Sequence, residues 1–176
     1  MGLMTAQRRI NALPVTAYAT VCSAGMGNEC FYRALLDNRS CLGTLTLLEI
    51  PFLTKVGEVS QPLPQIHPEL EAYNSRNSRM ALAALNNQGD GLRDAVEAAK
   101  DRHGSHRIGV VIGTSTSGLY ETESAYEMLL EEGHMPDDFH FLTRHAYQAT
   151  PRYLQLEMGL TGPCFAISTA CSSGCG

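Results

Sequence analysis

The main prediction of the fold comes from the stretch Cys164-Phe-Ala-Ile-Ser-Thr169, followed directly by Ala170-Cys-Ser-Ser-Gly174. Its first half is a short apolar run that predicts a buried β-strand. Its second half consists of small residues that predict a tight turn with one nucleophile, Cys171. A helix after such a turn would favour a thiolate over a thiol through its free N–H groups. The stretch therefore predicts a nucleophile elbow, in the general sense of a strand, a sharp turn and a raised side chain.

A second continuous apolar run, Arg107-Ile-Gly-Val-Val-Ile112, lies earlier in the chain. Such runs are typical of strands that are buried on both faces in a parallel sheet between helix layers. Further strands are predicted over residues 15–22 and around 45–48 and 52–59. Helices are predicted over residues 28–38 with Asn28 as the N-cap, and over 74–85, 92–103, 119–132 and about 143–158. This alternation of elements predicts an α/β fold.

Composition limits the classes of function that this chain can have. Its 176 residues, of which 44% are hydrophobic and 18% charged, suit one domain with a core and argue against disorder. The formal charge is -5 and Arg8-Arg9 is the only basic doublet, so nucleic-acid binding is not expected. No apolar run is long enough to span a membrane. Residues 8–22 mimic a signal peptide, but the bulky Val21 before Cys22 is atypical of one, and a cytoplasmic location is expected.

The cysteines and histidines do not form a recognisable metal motif. There is no Cys-x-x-Cys and no paired Cys/His spacing, so no metal site is expected. Free cysteines are mostly small buried hydrophobic residues, and Cys164 and Cys175 are predicted to be packing residues of that kind. His134, His140 and His145 lie in a polar stretch and are predicted to be solvent-exposed.

Two motifs carry a resemblance to a known family. Gly159-Leu-Thr-Gly-Pro163, followed by Ala166-Ile-Ser-Thr-Ala-Cys-Ser-Ser173, resembles the active-site cysteine region of the β-ketoacyl-acyl-carrier-protein synthases, condensing enzymes of the thiolase superfamily. Residues 15–27, 79–85 and 108–118 are in register with other parts of that family. The resemblance implies a thiolase-like α/β fold, layered αβαβα in the full enzyme, with residues 1–176 as an N-terminal synthase domain that stops just after the nucleophile.

Within this family, the chain is most similar to the synthases of aryl-polyene gene clusters in Gram-negative bacteria. The similarity lies in segments 74–79 and 113–123 and in the Ser-Thr-Ala-Cys-Ser-Ser form of the cysteine motif. A degradative thiolase is disfavoured, because in thiolases the cysteine comes far earlier relative to the first strand.

The resemblance also implies roles for individual residues. Cys171 would be the thiolate that accepts an acyl group, and its backbone N–H would form half of an oxyanion hole. Thr116, in the loop 113–118, would lie near the acyl-binding side, and Phe141 near the aromatic side chain that lines the acyl pocket. Either residue could instead be an ordinary core or loop residue. The loop 113–118 lacks the Gly-Lys-Ser/Thr ending of a phosphate-binding loop, so a nucleotide site is not expected.

The implied reaction is the decarboxylative Claisen condensation of malonyl-carrier protein with the acyl group on Cys171, in fatty-acid, polyketide or aryl-polyene biosynthesis. No resident cofactor or metal is expected, since phosphopantetheine arrives on the acyl carrier protein. That carrier protein would be one partner, and a homodimer or a heterodimer with a related synthase is also expected. The glutamates of helix 119–132 form an acidic face that is expected to be solvated. It is a poor docking surface for an acidic carrier protein, which is expected to dock elsewhere.

Members of the family are considerably longer, and their catalytic histidines come after the segment that matches this chain. None of the six histidines here occupies such a position. Residues 1–176 alone are therefore expected to be inactive. Two alternatives are a non-catalytic half-domain that dimerises or supports a full synthase, and the product of a truncated gene.

Overall fold

The computed structural model of the protein describes residues 12–175. Within that range the helices are α1 (Asn28–Leu36), α2 (Arg76–Leu85), α3 (Leu92–His103), α4 (Leu119–Glu132), α5 (Phe141–Arg144) and α6 (Ala149–Glu157). The strands are β1 (Val21–Cys22), β2 (Gly25–Met26), β3 (Gly43–Thr44), β4 (Lys55–Val56), β5 (Val110–Gly113) and β6 (Cys164–Ile167). Short 3-10 helices cover Pro68–Tyr73, Ser105–Arg107 and Ala170–Cys175. The doublet Arg8-Arg9 and the packing predicted for the Cys175 side chain lie outside what the structure describes.

The two best-predicted helices are α3 and α4, whose bounds match the sequence expectation at both ends. Each is followed by a glycine with positive φ, Gly104 at 82° and Gly133 at 82°, a conformation that glycine adopts without a steric cost and that ends a helix. The predicted helix 143–158 is instead two helices, α5 and α6, separated by residues 145–148.

Asn28 is not the N-cap that the sequence indicated. Gly27 occupies that position, and the Asn28 side chain turns back to the preceding segment, accepting a hydrogen bond from Thr20 Oγ1 (2.8 Å) and donating one to the Tyr18 carbonyl (2.8 Å). The free N–H of Asn28 is instead bound by the carboxylate of Asp90, at 3.0 and 3.2 Å. A residue distant in sequence thus caps α1.

The parallel sheet is confirmed, because β5 and β6 pair in parallel from Val110↔Cys164 to Gly113↔Ile167. The expected burial on both faces is wrong. Val111 and Phe165, which are register partners, are 51% and 45% exposed. The physical reason is that α6 packs on one face, where Val110 lies against the buried cluster of Leu85, Met158 and Leu160, whereas the face with Val111 and Phe165 stays about half exposed.

The remaining strands are shorter than the sequence suggested. Only Val21 and Cys22 of the predicted strand 15–22 pair, and they do so with Gly25–Met26 in a tight antiparallel hairpin. The prolines of residues 51–68 interrupt pairing in the following excursion, which keeps one small hairpin, β3–β4. These strands lie away from β5–β6 in separate sheets.

The core lies between α2, α6 and the 3-10 helix Pro68–Tyr73. Tyr153 of α6 is fully buried against Leu82 and Ile66. Ser75 caps α2 by accepting the Ser78 N–H at 3.1 Å, which leaves this buried helix start satisfied. Every helix in residues 12–175 is too short or too polar to cross a bilayer.

Candidate active site

The candidate site lies where β5 and β6 end. Their last register pair is Gly113↔Ile167, and the Thr114 N–H continues the ladder to the Ile167 carbonyl at 3.0 Å. Because parallel strands point the same way, the loop 114–118 and the turn 168–175 both leave from this edge. Thr116 and Cys171, predicted from sequence as site residues, are therefore carried by neighbouring segments.

The turn that carries Cys171 has the predicted form of a strand followed by a sharp turn. Ala170 has a φ of 52°, in the left-handed region that non-glycine residues seldom adopt, and Cys171 follows it with an exposed side chain. The residues after Cys171 continue as the 3-10 helix that ends at Cys175. Cys171 is therefore an exposed residue on a tight turn just beyond the end of β6.

Serine side chains close this turn. The Ser173 hydroxyl accepts the Thr169 N–H at 3.0 Å and donates to the Ala170 carbonyl at 2.7 Å. The Ser172 hydroxyl binds Thr169, with its carbonyl at 3.0 Å and its Oγ1 at 3.1 Å. Ser173 is buried whereas Ser172 is exposed. The backbone on either side of Cys171 is thus tied by two hydroxyl groups.

The loop 114–118 is held from two sides. On one side, Asn77 of α2 donates to the Ser117 carbonyl. On the other, the Ser117 hydroxyl and the Gly118 N–H (3.3 Å) both donate to the His145 carbonyl. Gly118 has no room for a side chain, since a Cβ there would overlap the Arg144 carbonyl group. The loop therefore has one tightly defined path past the end of β5.

Thr116 is exposed on this loop. Phe141, the first residue of α5, is 56% exposed and packs against the His145 ring with 4.6 Å between ring centroids. Phe141 therefore belongs to the same segment as His145, whose carbonyl binds the loop that carries Thr116. The structure thus places Thr116 on the segment next to the Cys171 turn and connects Phe141 to the Thr116 loop through His145, whereas no contact within residues 12–175 joins either side chain to Cys171.

His145 was predicted to be solvent-exposed, and this is wrong. Its ring nitrogen Nδ1 lies 2.6 Å from Thr122 Oγ1, and the residue is half-buried between α4 and α5. His134 and His140 are exposed, as expected. Glu121 also departs from the expected solvated face of α4, because its carboxylate accepts the Arg76 N–H at the start of α2.

Cys164 differs from Cys171 in its surroundings. It is half-buried on β6, with Gln148 Nε2 at 3.5 Å from its sulfur. Burial raises the pKa of the Cys164 thiol, against smaller opposing effects of Arg152 and Gln148. A raised pKa keeps the thiol protonated and unreactive, which agrees with the packing role predicted for it.

No cluster of three or more His, Cys, Asp or Glu side chains suited to a metal ion occurs in the described part of the chain. Four further residues shape the site and were not predicted in that role from the sequence: Gly113, Ser173, Asn77 and His145. Ser173 lies inside the quoted motif and could have been found, whereas the other three act through contacts between distant segments.

The chain folds as a thiolase-like α/β domain, in which a parallel strand pair is backed by helices and an exposed cysteine lies on the turn at its end. The chain belongs to the β-ketoacyl synthase N-terminal domain family, whose model matches residues 11–176.

Individual relatives agree with this assignment. Nodulation protein E of Rhizobium sp. (strain N33) is 23% identical over 160 residues, covering 90% of this chain and 39% of that protein. The 3-oxoacyl-[acyl-carrier-protein] synthase 2 of Vibrio cholerae is 31% identical over 90 residues, covering 48% of this chain and 22% of that protein.

Among solved structures, the chain is similar to the ketosynthase ApeO in complex with its chain length factor ApeC from Xenorhabdus doucetiae. The TM-score is 0.75 at 26% identity, over 93% of this chain and 42% of that one. The chain thus spans about two fifths of the length of Nodulation protein E and of the matched ketosynthase chain.

Proposed function

We propose that the protein containing this domain is a 3-oxoacyl-acyl-carrier-protein synthase and that Cys171 is its acyl-accepting nucleophile. The observation that carries the proposal is the exposed Cys171 side chain on a serine-closed turn at the end of β6. Membership of the β-ketoacyl synthase family supports it. Catalysis of this kind requires a thiol held in an accessible position beside a site for the substrate carbonyl.

The reaction has two covalent steps. In the first, Cys171 Sγ attacks the carbonyl carbon of an acyl thioester, the bond to the phosphopantetheine sulfur breaks, and the carrier protein leaves as its thiol. In the second, malonyl-carrier protein loses carbon dioxide, and the electron pair left on carbon attacks the Cys171 thioester. The carbon–sulfur bond breaks and the Cys171 thiolate is regenerated. Phosphopantetheine is part of the substrate, so the proposal includes no resident cofactor and no metal.

The groups that stabilise the negative charge in the second step come, in this proposal, from the rest of the protein. The ring of His145 is engaged with Thr122, and the other histidines of this chain are exposed on segments that the contacts do not join to the Cys171 turn. The backbone N–H of Cys171 supplies one donor of the oxyanion hole. Residues 1–176 alone are accordingly inactive in condensation.

Thr116 and Phe141 are proposed to line the acyl side of the site. The proposal for Thr116 is supported by its loop, which leaves the same sheet edge as the Cys171 turn. The proposal for Phe141 is supported by its ring contact with His145, whose carbonyl binds the Thr116 loop. The acyl carrier protein is proposed to dock away from the exposed glutamates of α4, since it is acidic.

The proposed pathway is aryl-polyene or a related polyketide or fatty-acid synthesis in the cytoplasm. The proposed partner is a related synthase subunit, which would make a heterodimer. The matched ketosynthase structure, which is described as a complex with its chain length factor, supports this choice of partner over a homodimer.

The test is acyl transfer from radiolabelled acyl carrier protein to the longest natural polypeptide that contains residues 1–176. Cys171→Ala should abolish the covalent label, whereas Cys30→Ala, which removes another exposed cysteine, should leave it unchanged. Label that persists in Cys171→Ala would overturn the proposal. A polypeptide that binds a synthase subunit but takes up no label would support the non-catalytic half-domain instead.

A further inference from the structure

We propose that Ser173 is a positioning residue that sets the direction of the Cys171 side chain, with Gly113 as the surface against which its turn is pressed. This rests on the proposed function, since it takes Cys171 as the nucleophile. Ser173 is 7% exposed and does not itself reach the reacting atoms. It acts through the backbone that carries the thiol.

The hydroxyl of Ser173 makes both of its hydrogen bonds to backbone on the N-terminal side of Cys171. It accepts from Thr169 N (3.0 Å) and donates to Ala170 O (2.7 Å). Together these bonds close a loop of backbone around Cys171. A buried donor or acceptor left without a partner is costly, so removal of this hydroxyl would force the turn to rearrange.

This turn needs stabilising contacts because of the backbone conformation of Ala170. Its φ of 52° is unfavourable for a residue with a Cβ, and such conformations persist only where surrounding contacts hold them. The Ser173 hydroxyl binds the carbonyl of Ala170 itself. The contact therefore stabilises the peptide group that joins Ala170 to Cys171, and with it the direction in which the thiol leaves the backbone.

Gly113 supports the same turn from the opposite side. A Cβ at Gly113 would lie 2.7 Å from the Ser173 carbonyl carbon and 3.0 Å from the Gly174 nitrogen. Both are backbone atoms, which cannot move aside as a flexible side chain can. The end of β5 and the Ser173 backbone are thus in direct contact, and any side chain at position 113 would displace the turn.

Ser172 provides an internal comparison. Its hydroxyl also binds Thr169, but it is exposed, and water can replace its hydrogen bonds. Loss of Ser172 should therefore affect Cys171 less than loss of Ser173 does.

The experiment measures inactivation of the longest natural polypeptide by an alkyl epoxide amide. The Cys171 sulfur attacks an epoxide carbon, the carbon–oxygen bond opens and the oxygen takes up a proton. The kinetics give a maximal rate of inactivation and an apparent binding constant. A positioning residue should affect the rate and leave binding unchanged, whereas loss of folded structure should affect both.

In Ser173→Ala the maximal rate should fall by about tenfold to a hundredfold, since small misplacements of reacting groups have effects of this size. Ser173→Thr keeps the hydroxyl and should restore most of the rate. Gly113→Ala should reproduce the loss. The matched controls are Ser124→Ala, on the exposed side of α4, and Gly43→Ala, where a Cβ would meet nothing within 4 Å. Both should behave as the wild type.

Iodoacetamide labelling, resolved by peptide mapping, separates local from global effects. The labelling rate of Cys171 should fall in Ser173→Ala, while that of the exposed Cys30 stays constant and Cys164 stays protected. A maximal rate in Ser173→Ala within about twofold of the wild type would overturn the inference, because misplacement costs more than that. The inference would also be overturned if Cys164 became labelled in the variant in which labelling of Cys171 slows, because that result would show unfolding.

If Ser173→Ala fails to fold, Gly113→Ala provides the test. An unchanged maximal rate of inactivation in that variant would overturn the inference as well. If wild-type Cys171 is not modified ahead of Cys30, the proposed function fails instead, and that result is distinct from all of these.

Discussion

The helical core and the strand pair differ in how completely this chain buries them. In the helical core, Tyr153, Leu82 and Ile66 are enclosed by α2, α6 and the 3-10 helix Pro68–Tyr73. In the strand pair, one face packs on α6, whereas Val111 and Phe165 form what we call the open sheet face, about half exposed to water. The buried core and the candidate site therefore lie in different parts of the domain: the core is enclosed by described helices, and the candidate site lies at the end of a sheet with one largely exposed face.

The largest expected effect separates the two regions directly. Tyr153→Ala should lower the free energy of unfolding by about 3–5 kcal/mol, since it removes a fully buried aromatic side chain. Phe165→Ala, on the open sheet face, should cost only about 1–1.5 kcal/mol in the monomeric chain at low protein concentration, because nearly half of its surface is already hydrated. Urea titrations of the two variants measure both numbers. Equal losses of unfolding free energy in the two variants would show that the open sheet face is covered in solution. The contrast between the helical core and the strand pair would then be wrong.

Sequence patterns predicted the local parts of this structure well and the non-local parts poorly. α3 and α4 follow from helical periodicity and from glycines at their C-terminal ends, which are properties of adjacent residues. The strand predicted over 15–22 failed because alternation does not reveal whether a pairing partner exists, and only Val21–Cys22 found one.

The same distinction applies to the site. The turn around Cys171 is encoded by consecutive small residues, so it was predictable, and Ser173 lies within it. The contact of Gly113 with that turn, and the path from Asn77 through Ser117 to His145, join segments far apart in sequence. No local pattern encodes such contacts, since they depend on how whole elements pack.

The second expected effect concerns association. Val111 and Phe165 are adjacent apolar side chains on a strand pair that no other strand of residues 12–175 joins, a combination that promotes contact between chains. We expect residues 1–176 alone to associate through this face at high protein concentration. Val111→Thr combined with Phe165→Ser should shift the population towards monomer in size-exclusion chromatography with light scattering.

A matched control for this pair is Leu130→Ser on α4, which removes an exposed apolar side chain outside the sheet. If the control shifts the population as much as the sheet variant does, association is not specific to the open sheet face. A wild-type chain that is monomeric in light scattering would contradict the prediction outright.

The third effect is smaller and tests the long-range cap of α1. Asp90→Ala removes the carboxylate that binds the Asn28 N–H at 3.0 and 3.2 Å. The expected loss is about 1 kcal/mol, as for other helix caps. Asp137→Ala, at an exposed position, should cost almost nothing. If both variants unfold at the same urea concentration, the Asp90 contact does not stabilise the helix.

The smallest effect concerns the hydroxyl of Tyr153 and appears mainly at high pH. Burial, and secondarily the charge of Glu157, raises the pKa of Tyr153 above its ordinary value of 10.0. Burial likewise raises the pKa of Cys164 above 9.0. Both groups therefore hold their protons more tightly in the folded chain than in the unfolded one. Their contribution to stability is fully present below about pH 9 and is lost as the pH rises, because the unfolded chain then releases protons first.

Tyr153→Phe isolates the tyrosine's share of that loss. The Tyr153 hydroxyl is buried and makes no hydrogen bond to any described residue, so at neutral pH its removal should be neutral or should raise stability by up to about 1 kcal/mol. Above pH 10 the variant should lose stability less steeply than the wild type, since phenylalanine has no proton to release. Tyr126→Phe, which changes a tyrosine that is 54% exposed, is the control for the stability at neutral pH and should leave it unchanged. Urea titrations between pH 8 and pH 11 compare the slopes, and a Tyr153→Phe slope as steep as that of the wild type would show that the ring is not buried in the folded state.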